Sequence, residues 1–179
     1  MDIGKEYLRV VVERFKNVKN LGDKTIDQLL EDEIHWTYNN ESNSVSIIVK
    51  HLSGNMISRW TDVLNSDGEK DYRDRDEEFI DDITSKIELK NVWEKGWKAL
   101  IDTLTGLSEQ DLLKKIYIRG ESYLVLGAIE RQMAHYAYHV GQIVYIGKQL
   151  KDNNWESLSI PKGQSEEYLK AMLEKHQDR

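Results

Sequence analysis

The chain has a single proline, Pro161, and none in the 160 residues that precede it. Proline removes a backbone donor and clashes with the preceding turn, so it is the strongest breaker of helices. A stretch of this length without proline permits long, uninterrupted helices. Apolar residues recur along most of it at helical spacing, which favours a helical fold.

The apolar periodicity predicts four long helices and two short ones. Gly22 and Asp23 are expected to end the first, and Thr25 and Gln28 to form a capping box that opens a short second one. Residues 115–119, KIYIR, alternate and form either a short strand or an extended loop, with no convincing partner strand. The long helices are predicted at about residues 2–20, 44–64, 80–104 and 123–150, and the short ones at about 25–32 and 165–175.

Four long helices without an internal repeat predict an all-α four-helix bundle with short extra helices. The length is that of one domain, so we expect residues 1–179 to form a single unit. Trp60, Trp93 and Trp97 recur at helical spacing and are expected in its core. The connections are long enough for a crossover, so the pattern alone leaves the topology open.

Composition narrows the functional classes. The net charge of −7 argues against nucleic-acid binding, which normally requires a basic surface. The chain has no cysteine, which excludes disulfides, thiolate-ligated metals and cysteine nucleophiles, and agrees with a reducing cytoplasm. The sequence contains no run of about 18 apolar residues, the length that a membrane-spanning helix requires. The N-terminal residues do not resemble a secretory signal. We therefore expect a cytoplasmic protein without nucleic-acid or membrane partners.

Two of the five histidines, His135 and His139, stand four residues apart on the last long helix. This spacing places both imidazoles on one face, one turn apart, at or beside the apolar stripe. A metal held there needs at least one further ligand from another helix. His51 lies about 130° from the centre of the apolar stripe of its own helix, which favours a solvated or rim position. A cleft at the end of the bundle is the alternative that brings His51 to the pair.

The charged residues of the connecting segments have ordinary explanations. The string RDRDEE at residues 73–78 is expected to form a solvated loop with ion pairs. Arg59 and Asp62 are expected to form an exposed ion pair rather than to line a cleft. His35 in a connection is expected to pack or cap, and His176 near the C-terminus to be exposed. Motifs of serine hydrolases, zinc proteases and di-iron carboxylate sites do not occur.

Several separated blocks of the chain resemble a known group of proteins. Residues 50–60, KHLSGNMISRW, and residues 135–143, HYAYHVGQI, resemble the second-helix histidine and the His-x-x-x-His-x-Gly-Gln-Ile motif of the DinB-like (YfiT-like) superfamily of metal-binding four-helix bundles. The resemblance is closer to one bacterial branch of unknown function. Its pattern is matched in residues 43–79, 118–121, 135–145 and 159–166.

The resemblance implies an up-down-down-up bundle with one crossover connection, paired as a homodimer. It also implies a divalent metal, nickel or zinc, on His51, His135 and His139, with one position open to water or a thiol. Gln142 and, more weakly, Asn55 are then contacts to the ligands or to a substrate.

Relatives in the superfamily include transferases that use low-molecular-weight thiols. This points to thiol-dependent S-transfer on a small molecule. A metal-dependent hydrolase and a non-catalytic dimeric metal-binding or interaction protein are the alternatives. We identify no inward glutamate or aspartate as a general base, which counts against simple hydrolysis.

Overall fold

A computed structural model describes residues 2–176 of the protein. The fold is predominantly helical, as predicted, and includes one small antiparallel hairpin. Within the described residues, no helix is both long enough and apolar enough to span a membrane. The elements in chain order are α1 (Ile3–Gln28), α2 (Val45–Trp60), α3 (Lys86–Gly106), β1 (Lys115–Ile118), β2 (Glu121–Leu124), α4 (Val125–Lys151) and α5 (Ser165–Lys175).

The core lies between the four long helices, where α2 packs along α3 and α1 packs along α4. Large aromatic side chains fill its centre, and Trp60, Trp93 and Trp97 are each at most 2% exposed, as expected from their spacing. The rings of Phe15 and Tyr136 lie 5.9 Å apart. This packing joins α1 to α4, the helix that carries two of the candidate ligands.

Helix α1 continues through the point where the sequence predicts a break. It reaches Gln28 without interruption, so a separate short helix at about residues 25–32 is wrong. Gly22 is buried inside α1, and a Cβ at this position would overlap the indole of Trp93. The glycine therefore serves close packing of α1 on α3 rather than helix termination.

The first four residues of the segment KIYIR form strand β1, and its partner is β2, the four residues that follow the two-residue turn of Arg119 and Gly120. The strand alternative for these residues is confirmed and the expectation that they have no partner strand is wrong, while α4 begins at Val125 rather than at Tyr123. Arg119 and Gly120 both have positive φ, 56° and 75°, which matches the twist of the flanking strands. Both of their amides donate to the Asp67 carboxylate at 2.8 Å, so the turn is tied to the loop that follows α2.

Helix α3 begins at Lys86, with Ser85 as its N-cap, rather than near Ile80. The residues between α2 and α3 form an irregular connection, and its short 3₁₀ turn, Glu77–Phe79, packs against α2. This turn covers the face of α2 that carries His51. The connection thus becomes part of the site rather than a solvated loop.

Candidate metal centre

Three of the five histidines meet between α2 and α4. His51 comes from α2, and His135 and His139 come from α4. Each offers a ring nitrogen, and the three nitrogens lie within 4.8 Å of one another. This group can hold a metal ion. His35 lies elsewhere, with its Nδ1 2.7 Å from the Asp81 carboxylate, and His176 is exposed at the end of α5.

His51 is buried, with 7% of its surface exposed, so the solvated position favoured by helical periodicity is wrong. That interpretation assumed one apolar stripe and one solvated face on α2. Most of the circumference of α2 is in fact buried, including the polar residues Ser46, Ser53 and Asn55. The outer face is covered by the turn at Glu77–Phe79, and the ring of Phe79 lies 5.3 Å from that of His51.

The carboxylate of Glu78 orients His51. Nδ1 of His51 lies 3.0 Å from Oε2 of Glu78, and Glu78 is 6% exposed. The guanidinium of Arg73 donates to both oxygens of the same carboxylate, at 2.7 and 2.9 Å. A Cβ at Gly54 would overlap this carboxylate, so the glycine allows Glu78 to approach α2.

The protonation of Glu78 determines the tautomer of His51. Burial acts to raise the pKa of Glu78, but the hydrogen bonds from Arg73 and His51 outweigh it and hold the pKa below its ordinary value. An ionised carboxylate only accepts hydrogen bonds. Nδ1 of His51 must therefore carry a hydrogen and donate it to Glu78, which makes Nε2, the atom that faces His135, the nitrogen available to a metal.

His139 is oriented in a similar way by a neutral group. Its Nδ1 lies 2.8 Å from Oε1 of Gln142, one turn further along α4, and the amide of Gln142 in turn donates to the Tyr138 hydroxyl at 3.2 Å. Nδ1 donates to this carbonyl oxygen, so Nε2 of His139 remains free as a ligand. Gln142 thus has the contact with a ligand that the sequence suggested.

The surroundings of His135 favour the neutral form of its imidazole. Burial, with smaller contributions from the charges of His139 and His51, lowers the pKa of its imidazole to about 3. Burial also lowers the pKa of His139. Nδ1 of His135 is buried and makes no hydrogen bond within residues 2–176. Because burial lowers both pKa values, the rings of His135 and His139 are neutral at physiological pH, and neutral imidazole is the form that binds metals.

The spacing of the nitrogens fits a tetrahedral ion. Nε2 of His51 and Nε2 of His135 are 3.4 Å apart. Two nitrogens bound to one tetrahedral zinc at about 2.05 Å are separated by about 3.3–3.4 Å. The separation of this one pair is therefore compatible with a shared metal ion.

A family model described as "Protein of unknown function (DUF1572)" matches residues 2–164. The chain belongs to this family. No curated protein matches the sequence. The match covers α1 to α4, the three histidines and Glu78, and it ends directly before α5. Because the family is described without a function, the chemistry has to be inferred from the residues of the site.

Asn55 lies one turn from His51 on α2 and, together with His51 and His135, lines a cavity beside the site. Its Oδ1 accepts a hydrogen bond from the Tyr136 hydroxyl at 3.0 Å, and that hydroxyl accepts one from Nε1 of Trp60. This buried chain ties α2 to α4 directly below the histidines. The contribution of Asn55 to the site is therefore to fix the distance between the two helices.

Sequence reasoning missed Glu78 and Arg73. Both lie in the string RDRDEE, which was expected to be solvated, yet their side chains are 7% and 2% exposed. The expectation of an ion pair in this string is confirmed. The expectation that the pair is exposed is wrong, because Arg73 and Glu78 are buried. The expectation that no glutamate or aspartate points inward is also wrong, because the Glu78 carboxylate is buried against His51. The available signal was that this string falls inside one of the blocks that carry the resemblance.

Proposed function

We propose that this protein is a divalent-metal-binding helical protein whose three-histidine site supports thiol-dependent S-transfer on small molecules. The observation that carries the proposal is the convergence of three imidazoles, with two Nε2 atoms at 3.4 Å and with His51 oriented by Glu78. A carboxylate that accepts from the far nitrogen of a ligating histidine is a recurrent partner of protein metal sites.

Nickel or zinc is the proposed metal. Imidazole suits both ions, and three protein ligands leave one coordination position open. When bound, such an ion acts as a Lewis acid that lowers the pKa of a thiol or water at that position.

The residues of the chain have separate parts in this proposal. Glu78 keeps the hydrogen of His51 on Nδ1, and Gln142 does the same for His139. Burial keeps His135 neutral. A neutral imidazole would offer a bound metal its lone pair, with no proton to displace.

The position of Glu78 favours transfer over hydrolysis. A metal-dependent hydrolase commonly uses a free carboxylate as general base, as in zinc proteases. Glu78 is committed to His51 and Arg73, and its lowered pKa makes it a weak base. A thiol activated directly by the metal needs no such base.

The proposal extends to the surroundings of the site. We propose membership of the DinB-like superfamily, with an up-down-down-up order of helices and one crossover, on the resemblance of residues 50–60 and 135–143. We also propose a homodimer in the cytoplasm, where low-molecular-weight thiols are kept reduced.

The test is turnover of a panel of small electrophiles with a low-molecular-weight thiol, using zinc-loaded, nickel-loaded and chelator-treated protein. His139→Ala removes a ligand, and His176→Ala is the matched control because His176 is exposed and remote. S-conjugated product that requires metal, thiol and His139 supports the proposal. Product that forms without thiol indicates a hydrolase, and metal binding without turnover indicates a non-catalytic protein; either result would overturn thiol transfer.

A further inference from the structure

A cavity of about 310 Å³ adjoins the histidine site on one side. His51 and His135 form part of its wall, so it opens directly beside two of the candidate ligands. Two amide side chains, Asn55 and Gln132, and four arginines from four different parts of the chain line the rest; the arginines are Arg59 of α2, Arg75 of the connection, Arg119 of the hairpin turn and Arg131 of α4. None of the described residues that line it is acidic.

The four arginines have too few carboxylate partners in the described part of the chain to neutralise their charge. Glu69 accepts from Arg59 at 3.0 Å and from Arg119 at 2.8 Å, so one carboxylate serves two guanidiniums. Within residues 2–176, Arg75 and Arg131 form no ion pair, and Arg131 lies over the ring of Tyr123. An excess of positive charge in one cavity is notable because the whole chain carries a net charge of −7.

Arg59 was expected to form an exposed ion pair with Asp62, and this expectation is wrong. Arg59 is 3% exposed, and it donates to the Gly68 carbonyl as well as to Glu69. Its Nε is buried without a hydrogen-bond partner among the described residues. Burying a guanidinium is costly unless it is paired, so a partly paired one beside a cavity points to a negatively charged ligand.

Gln132 adds an unpaired acceptor to the wall of the cavity: an amide oxygen accepts hydrogen bonds, so a ligand would meet it with a hydroxyl or an amine and not with its anionic group. Its side chain lines the cavity, the residue is 2% exposed, and its Oε1 has no hydrogen-bond partner within residues 2–176. Buried polar groups of this kind are nearly always satisfied in a functional complex.

Arg119 is held in an unfavourable backbone conformation. Its φ of 56° lies in the left-handed region, where glycine or asparagine is the usual choice for a hairpin turn. Asp67 stabilises this conformation by accepting from the Arg119 amide. The arrangement keeps an arginine at a turn that reaches the cavity, where the backbone alone would favour a smaller residue.

We propose that this cavity binds the carboxylate or phosphate group of a small-molecule substrate. The planar forks of guanidinium groups match both oxyanions with paired hydrogen bonds, and the volume suits a small ligand. The inference rests on the proposed function, because an anion bound here would hold the substrate beside His51 and His135, two of the residues that would bind the metal. It assigns the substrate class as small anionic electrophiles.

The test is a thermal-shift titration with sodium phosphate and, separately, sodium succinate, at constant ionic strength set with chloride. Metal-free protein is used first, so that binding of the probe to a metal does not contribute. Arg75→Gln and Arg131→Gln remove cavity charges that lack a carboxylate partner, and Arg14→Gln is the matched control on the exposed face of α1.

At least one probe should raise the Tm of wild type and Arg14→Gln in a concentration-dependent way, because binding to the folded state stabilises it. Arg75→Gln and Arg131→Gln should each weaken the apparent affinity about tenfold, the loss expected for a charge-assisted hydrogen bond. The stronger probe distinguishes carboxylate from phosphate. Equal affinities in all variants, or no shift with either probe, would overturn the assignment.

Metal content is measured on the same samples. Anion binding by a protein that takes up no metal would leave the cavity assigned and overturn the proposed function. Metal uptake without anion binding would overturn the assignment of the cavity and leave the proposed metal site standing. The two proposals therefore fail independently.

Discussion

Glu78 and His51 lie 27 residues apart in the chain, yet the carboxylate of one accepts from Nδ1 of the other at 3.0 Å, with both side chains buried. Arg73 keeps this carboxylate ionised by donating to both of its oxygens. The consequence is that Nδ1 of His51 is used as a donor to Glu78, and Nε2 is the nitrogen that faces His135. The connection between α2 and α3 therefore sets the chemical state of a residue on α2.

Replacing Glu78 by glutamine should weaken metal binding by about 10–100-fold, the usual effect of removing the carboxylate partner of a ligating histidine. Glutamine can present either an oxygen or an amide to Nδ1, so it no longer fixes the tautomer. Competition with a chromogenic chelator measures the affinity. Glu77→Gln, the exposed neighbour, is the matched control. Equal affinities for Glu78→Gln and wild type would show that this carboxylate does not support the site.

Gly54→Ala should act on the same contact from the opposite side. The added methyl group overlaps the Glu78 carboxylate and forces it away from α2, so metal affinity should fall towards that of Glu78→Gln. Gly127→Ala, on α4, adds a methyl group into open space and should leave affinity unchanged while stabilising the helix by up to about 1 kcal/mol. The same chelator competition and a urea unfolding curve measure both effects. Unchanged affinity in Gly54→Ala would mean that the contact is not needed.

The metal-free protein should lose stability on acidification below about pH 6.5. The pKa of His135 is about 3 when folded, against 6.5 for an unperturbed imidazole, so between these values the unfolded chain binds the additional proton. The lowered pKa of Glu78 acts in the same direction at lower pH, because its stabilising contribution is lost as pH falls through the folded pKa. Urea unfolding at pH 8, 6.5 and 5 measures the trend.

His135→Gln is the variant that isolates the histidine contribution to this trend. It should flatten the pH dependence between 6.5 and 5, whereas His176→Gln, at an exposed position, should leave it unchanged. Stability that is independent of pH over this range in the wild type would be incompatible with a buried neutral His135.

Tyr136→Phe should destabilise the protein by about 1–3 kcal/mol, because it leaves the Trp60 indole N–H and Oδ1 of Asn55 buried without partners. The three histidines themselves are unaltered, so metal stoichiometry should remain that of wild type. Urea unfolding and elemental analysis measure the two quantities. Tyr145→Phe, an exposed tyrosine of α4, should change neither. A loss below about 0.5 kcal/mol in Tyr136→Phe would contradict the role given to this hydrogen-bond chain.

The features that follow from local pattern were predictable from the sequence. Four long helices and the shared face of His135 and His139 depend on spacing alone, and the structure has them. The burial of His51 was not predictable from α2 by itself, because it results from a connection that folds back over that helix. Resemblance to other sequences identified His51 where periodicity did not.

Residues 73–78, RDRDEE, show most clearly what could not be predicted from the sequence. Arg73 and Glu78 have the composition of a solvated loop, and only the folded chain brings them against Gly54 and His51. Arg75 and Arg119 are equally ordinary as sequence, yet they meet beside His135. Pairing across the chain, as in the hairpin of β1 and β2, is likewise set by contacts that a single helix or strand pattern does not contain.

The most direct test of the central claim is the metal stoichiometry of the purified protein, measured by elemental analysis after loading with zinc or nickel and removal of excess ion. Wild type and His176→Ala should bind about one ion per chain, and His51→Ala, His135→Ala and His139→Ala should each lose it while their circular dichroism stays helical. Undiminished metal content in folded His51→Ala, His135→Ala or His139→Ala protein would contradict a site built from these three residues.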